Sequence, residues 1–190
     1  MPFHTTDIPD LLIFEPKVFE DSRGYFFEAY NEQVFRNDGI NLRFVQDNQS
    51  KSSYGVIRGL HYQLKPHAQF KLVRALQGTI LDVAVDIRKG SATFGKHFSI
   101  ELSAENKKQL LIPAGFAHGF SVLSPTAIVF YKCDAVYNKE TEAGIVYNDS
   151  TLNIDWKIPS GKETVSEKDL QQPVFENCRN NFEFAGNGVE

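Results

Sequence analysis

The chain has 190 residues (21.5 kDa), 42% of them hydrophobic and 23% charged, values that exclude a disordered, collagen-like or coiled-coil protein. That length fits one domain able to bury about 70% of its unfolded surface, so disulfide or metal staples are not needed. Twenty basic against 24 acidic residues give a net charge of −4, with no basic run longer than Lys107-Lys108, so no nucleic-acid partner held by counterion release is expected. A small anionic ligand is not excluded, since a few arginines hold a diphosphate whatever the net charge.

Sixteen Phe and 7 Tyr beside a single Met favour pleated, half-buried surfaces over helix bundles, and the expected class is all-β. Strand signals fall at residues 25–28, 43–49, 56–63, 71–76, 79–87, 97–102, 109–112, 120–123 and 127–137, separated by Gly, Pro, Asn and Ser. In residues 79–87, Val83, Val85 and Ile87 alternate with Asp82, Ala84 and Asp86, the pattern of a half-buried strand. Helical signals are two: residues 32–36, ending near Gly39, and a turn opening at Ser166. With so few helices, two sheets must cover each other in a sandwich or barrel. Residues 1–176 read as one domain and residues 177–190 as a tail without a motif, a flexible end. Cys133 and Cys178 have neither metal nor redox spacing and no apolar leader precedes them, which predicts a reduced, cytoplasmic chain. No apolar run reaches the about 18 residues of a membrane span, so no membrane partner is expected.

Two stretches carry polar side chains where a buried sheet face wants apolar ones. In Arg58-Gly59-Leu60-His61-Tyr62-Gln63, strict alternation sets Arg58, Leu60 and Tyr62 on one face and Gly59, His61 and Gln63 on the other. In Pro113-Ala114-Gly115-Phe116-Ala117-His118-Gly119 a turn leads into a strand with a second histidine. A barrel lined by such residues is a ligand cavity.

Pro113, Gly115 and His118 resemble the second motif of the cupin superfamily, with His61 where the first motif begins, which implies a double-stranded β-helix or jelly roll with a few short peripheral helices. Metal-dependent cupins supply a His-x-His pair, a glutamate and the later histidine. Here Gln63 replaces the second histidine of the pair, and two imidazoles are a poor cage, so neither metal nor other cofactor is expected. The resemblance to one branch is closer. Asp21-Ser22-Arg23-Gly24-Tyr25-Phe26-Phe27-Glu28, Gln46-Asp47-Asn48, Gly55-Val56-Ile57-Arg58-Gly59-Leu60-His61-Tyr62-Gln63, Lys71-Leu72-Val73-Arg74, Phe116-Ala117-His118-Gly119-Phe120, Tyr131-Lys132-Cys133 and Ser166-Glu167-Lys168-Asp169 together resemble the dTDP-4-dehydrorhamnose 3,5-epimerase family, in order over residues 3–175.

That resemblance implies a cofactor-free isomerase converting dTDP-4-dehydro-6-deoxy-D-glucose to dTDP-4-dehydro-L-rhamnose, on the route to dTDP-rhamnose and so to O-antigen and lipopolysaccharide. Hydrogens on C3 and C5 flank the C4 ketone, and removing either leaves an enolate on the C4 oxygen. Such chemistry needs a base, an oxyanion partner and an acid on the opposite face. The family pattern gives these roles to His61 as base, Asp169 as its orienting partner, Lys71 beside the oxyanion and Tyr131 as acid. Histidine suits the base because its unperturbed pKa lies near about 6.5, and tyrosine the acid because its own lies near about 10. No GxGxxG or Walker pattern occurs, so side chains must hold the diphosphate. The pattern gives substrate contacts to Arg23, Glu28, Gln46, Asp47, Asn48, Arg58, His118, Glu142 and Lys168, with Phe26, Tyr137 and Trp156 as candidate stacking faces for thymine.

Each residue also has a plainer role. His61 and Tyr131 can be core residues with satisfied polar atoms, Lys71 an edge-strand gatekeeper, Arg23 and Arg58 surface ion-pair formers, and Ser166 to Asp169 a helix capping box. Phe70, where relatives often carry a small residue, can press on the cavity mouth. The family pairs subunits by sharing strands, which implies a homodimer, and the segment 5–14 is apolar enough to take part. Other functions remain open: a single-site epimerase, a 3,4-ketoisomerase of a related sugar, a metal-dependent cupin oxygenase and a non-catalytic sugar-binding jelly roll.

Overall fold

The structure, a computed structural model, describes residues 2–184. Thirteen strands run β1 (Phe3–Thr5), β2 (Leu12–Phe14), β3 (Val18–Asp21), β4 (Gly24–Phe27), β5 (Gln46–Ser53), β6 (Ile57–Gln63), β7 (Lys71–Gln77), β8 (Thr79–Asp86), β9 (His97–Ser103), β10 (Gln109–Ile112), β11 (Phe116–Val122), β12 (Thr126–Cys133) and β13 (Glu142–Gly144). Among the described residues there are also two short α-helices, α1 (Glu32–Asn37) and α2 (Glu167–Leu170), and two 3-10 turns, Lys139–Thr141 and Phe175–Asn177. Asn31 caps α1 by accepting the Gln33 N–H, and Ser166 caps α2 by accepting the Asp169 N–H, the local chemistry that starts helices in an otherwise extended chain.

The strands form a six-stranded sheet, β1-β2-β10-β7-β12-β5, and a five-stranded sheet, β13-β6-β11-β8-β9. Every pairing within them is antiparallel. Val73, Ala127 and Val129 of the first sheet pack between the layers against Ile80, Ala84, Phe116 and Phe120 of the second, so the two sheets close a cupin-like jelly roll whose interior is filled by apolar side chains at one end. The β3–β4 hairpin stands apart from both and exposes Phe19, Tyr25 and Phe26.

The alternation in β8 had predicted one solvated face, yet all its residues after Thr79 are buried. Its Leu81, Val83 and Val85 lie under Ile145, Leu152, Trp156 and Phe182, because the chain beyond β13 wraps the outer face of the five-stranded sheet. The expectation of a flexible end after residue 176 is corrected as far as Phe184. Lys89 N–H donates to the Phe182 carbonyl, the Phe184 N–H donates back to Lys89, and Phe182 is 2% exposed. The last six positions of the expected tail, 185–190, lie outside the described residues. Residues 5–14 contribute the last residue of β1 and all of β2 to the six-stranded sheet of their own chain.

Candidate active site

The open end of the barrel holds a cavity of about 240 Å³. Its lining comes from both sheets: Arg58, His61 and Gln63 from β6, His118 from β11 and Glu142 from β13 on one side, and Gln46, Asn48 and Ser50 from β5, Lys71 from β7 and Tyr131 from β12 on the other. Strict alternation would turn Arg58 away from His61. The β6–β11 register prevents this, since His61 lies opposite His118 while Arg58 lies opposite Phe120, an extra residue on β6 that re-aims the side chains. At this bulge Gly59 has φ +122°, and a Cβ there would stand 2.6 Å from Gly119 Cα, so glycine is required. The Arg58 Nε donates to Ser52 Oγ at 3.1 Å, reaching the opposite sheet.

Asp169 is not in the lining but stands behind it. Its Oδ1 lies 2.7 Å from His61 Nε2, and its Oδ2 accepts the Gly59 N–H at 3.3 Å. Burial pushes the Asp169 carboxyl up, but the His61 hydrogen bond and charge, with the Gly59 N–H and Ser166, outweigh it and hold the pKa below the ordinary value. The capping role and the histidine contact therefore coexist in one residue. On the facing sheet, burial and the Cys133 thiol push the Tyr131 hydroxyl above its ordinary pKa despite Arg58, which keeps it protonated. Lys71 Nζ lies 5.9 Å from the centre of the Tyr131 ring. Burial pushes Lys71 down, while the Cys133, Asp82 and Glu142 charges pull it back. At the rim Glu142 accepts from Lys168 Nζ at 2.6 Å and from the Tyr137 hydroxyl at 3.0 Å. Burial raises the Glu142 pKa, and these two partners lower it further than burial raises it.

Several expected residues lie elsewhere. Asp47 alternates onto the outer face of β5 and pairs with Lys132 Nζ at 2.9 Å, not with anything in the cavity. Arg23 pairs with Asp21 at the tip of the hairpin, and Glu28 accepts from Asn31 Nδ2; neither lines the cavity of its own chain. Trp156 is core, 6% exposed, its Nε1 donating to the Tyr147 carbonyl. Phe26 is on the hairpin, leaving Tyr137 as the stacking candidate at the cavity. Phe70 packs with Phe14, Phe35 and Leu42 on the outer side of the six-stranded sheet, so it does not press on the mouth. Gln69 and Ser50 also line the cavity, and no motif in the sequence marks them.

The donor set is poor for a metal. His61 and His118 each hold a carboxylate through Nε2, and Gln63 Oε1 accepts from the Asn138 N–H and the Thr141 hydroxyl. Among the described residues no three His, Cys, Asp or Glu side chains are grouped to hold a metal ion, and no helix is long and apolar enough to cross a membrane.

A model of the dTDP-4-dehydrorhamnose 3,5-epimerase family matches residues 5–177. An enzyme of that name from Shigella flexneri is 56% identical over 171 residues, 90% of this chain and 93% of its own. The chain belongs to this family. As a member it is an isomerase, a carbohydrate epimerase. Solved relatives share the fold of this epimerase: the crystal structure of the Elizabethkingia anophelis enzyme superposes with a TM-score of 0.88 at 57% identity, covering 92% of this chain and 96% of that one. A Legionella pneumophila 3,5-epimerase, solved in complex with dTDP-4-keto-L-rhamnose, gives 0.88 at 46% identity, covering 92% and 93%.

Proposed function

We propose that this epimerase inverts C3 and C5 of dTDP-4-dehydro-6-deoxy-D-glucose, using His61 as base and Tyr131 as acid. The observation that carries the reading is the opposition of these residues: a carboxylate-backed imidazole on one sheet faces a protonated phenol on the other across one cavity. Inversion at carbon requires removal of the proton on one face and its return on the other, and two groups on two walls supply that. Asp169 fixes which ring nitrogen carries the proton and stabilises the imidazolium, the logic of the hydrolase triad. Lys71, on the strand beside Tyr131, places a cation where the C4 oxygen becomes an enolate. Arg58 and Lys168 supply charged donors for the diphosphate, and Gln46, Asn48, His118, Glu142 and Tyr137 contact the rest of the ligand.

The chain works as a homodimer in this reading. Arg23 and Glu28 lie outside the cavity of their own chain, beside a hairpin with three exposed aromatic rings, and a partner barrel is the surface such rings would cover. Unpaired Cys133 and Cys178 support a cytoplasmic location, and the product suits the supply of rhamnose to O-antigen and lipopolysaccharide. Incubation with the 4-keto nucleotide sugar in deuterated water tests the function. Deuterium at both C3 and C5 is expected; label at one carbon would reduce the activity to a single-site epimerase, and a carbonyl moved from C4 would make it a ketoisomerase. No label at either carbon would overturn the reading.

A further inference from the structure

We propose that Asp82 is a positioning residue for this reaction, holding His118 as the tautomer whose Nδ1 faces the cavity as acceptor for a ring hydroxyl of the sugar. The proposal rests on the nucleotide-sugar reading above and adds to it a residue outside the cavity lining. Asp82 lies on β8 opposite Phe120 of β11, so it shares the interior face with His118. Its side chain is 0% exposed, and its Oδ1 lies 2.8 Å from His118 Nε2. A carboxylate only accepts, so Nε2 carries the hydrogen and Nδ1 keeps its lone pair. That second nitrogen has no protein partner among the described residues and is not one of the buried orphan atoms, so it is open to the cavity that His118 lines. Burial pushes the His118 pKa below its ordinary value, Asp82 opposes that, and Lys71 and His61 press it down again. The ring is neutral, an acceptor rather than a cation.

The other oxygen of Asp82 explains why a carboxylate is needed. Asp82 Oδ2 is buried without a hydrogen-bond donor, an uncommon condition that asks for a reason. The positive charge of Lys71 lies in the same interior, where Asp82 helps to sustain it against burial. An asparagine at 82 has one oxygen and one NH₂ to place. The field of Lys71 favours the oxygen at the Oδ2 position, which turns the NH₂ toward His118. Nε2 must then accept, the hydrogen moves to Nδ1, and the cavity loses its acceptor and gains a donor.

The test is ¹⁵N spectroscopy of histidine-labelled protein, with His118 assigned by its absence in His118→Gln. In the native protein His118 is expected as the neutral Nε2–H tautomer, with Nδ1 shifting on addition of non-reacting dTDP-glucose but not of dTDP. Asp82→Asn should convert His118 to the Nδ1–H tautomer and lower kcat by about tenfold, the scale of one lost hydrogen bond, with dTDP affinity changed less than about twofold. A purely structural Asp82 would lower thermal stability and leave the tautomer alone. Native His118 found as Nδ1–H or doubly protonated, or an Nδ1 blind to dTDP-glucose, overturns the proposal even if the variant does not fold. Failure of the nucleotide-sugar reading shows elsewhere, as absence of deuterium uptake by the native enzyme, and would remove the basis of the proposal.

Discussion

His61 Nε2 and Asp169 Oδ1 meet at 2.7 Å although 108 residues separate them in sequence. The pair exists because α2 is capped at Ser166, which brings Asp169 over β6, and because Gly59 leaves its N–H free for the other carboxylate oxygen. Asp169→Asn keeps the size and removes the charge. The imidazolium formed during proton abstraction then lacks its counter-charge, and exchange of deuterium into C3 and C5 should slow by a factor on the order of 10²–10⁴, the range for a positioned acid-base group. Calorimetric affinity for dTDP should hardly change. Native exchange rates in the variant would remove Asp169 from the mechanism.

Tyr131→Phe separates the two faces of the reaction. His61 can still take the proton and return it to the side it left, so solvent exchange should persist while net inversion falls by about 10² or more. His61→Ala should abolish both. Comparing deuterium uptake by NMR with product stereochemistry reads the two steps apart, and parallel loss of exchange and inversion in Tyr131→Phe would mean that the phenol is not the acid.

How much of this was legible in the sequence follows from where side-chain order is local. His61, Lys71, Tyr131 and Asp169 sit in contiguous motifs, and alternation in β12 and β7 carries Tyr131 and Lys71 to the cavity side. Arg58 could not be placed by alternation, because the bulge at Gly59 is a property of the β6–β11 pair and not of β6 alone. Asp82 reads in sequence as the polar face of a half-buried strand. Only the wrapping of Trp156 and Phe182 over the other face of the sheet shows that the aspartate points inward.

Gln63 stands at the cupin ligand position, and its oxygen instead anchors the turn before β13, accepting the Asn138 N–H at 3.2 Å and the Thr141 hydroxyl at 2.8 Å. Gln63→Leu leaves the Asn138 N–H without a partner, at a cost of about 1–3 kcal/mol where it is buried, and leaves the Thr141 hydroxyl only its longer bond to the Asn138 carbonyl at 3.3 Å. The turn joins Tyr137 to Glu142, so the expected kinetic effect is a several-fold rise in KM with a smaller change in kcat. Steady-state kinetics and thermal denaturation check this; unchanged KM and melting temperature would make the anchor superfluous.

Far from the cavity, Asp86 is 0% exposed and accepts from Arg88, Ser91 and Thr93. Burial raises its pKa, and these partners together hold it below the ordinary aspartate value. A carboxyl depressed in the fold contributes stability above its unfolded pKa of about 3.9 and loses it as pH falls through the folded value. The native protein should therefore lose melting temperature on going from pH 5 to pH 3. Asp86→Asn should be less stable at pH 7 by about 3–5 kcal/mol, the scale for breaking a buried pair, and its stability should fall less steeply over that acid range. Equal slopes for the two proteins, followed by calorimetry, would assign the acid sensitivity to other carboxyls.

The β3–β4 hairpin offers the sharpest test of assembly. Its Phe26 is 66% exposed and the Arg23 side chain 88% exposed, paired only with its neighbour Asp21, a costly way to end a hairpin unless another surface covers it. If the hairpin completes the site of a second copy, Arg23→Ala and His61→Ala fail for different reasons in different subunits. A mixed dimer joins an intact barrel to an intact hairpin at one of its two sites. Random mixing of two inactive variants should then restore about a quarter of native activity, because half the dimers are mixed and each has one complete site. Phe26→Asp should shift the sedimentation coefficient toward the monomer and raise KM more than it lowers kcat. Separate, unrescued losses in the mixture, or a native protein active as a monomer, would leave each hairpin serving its own chain.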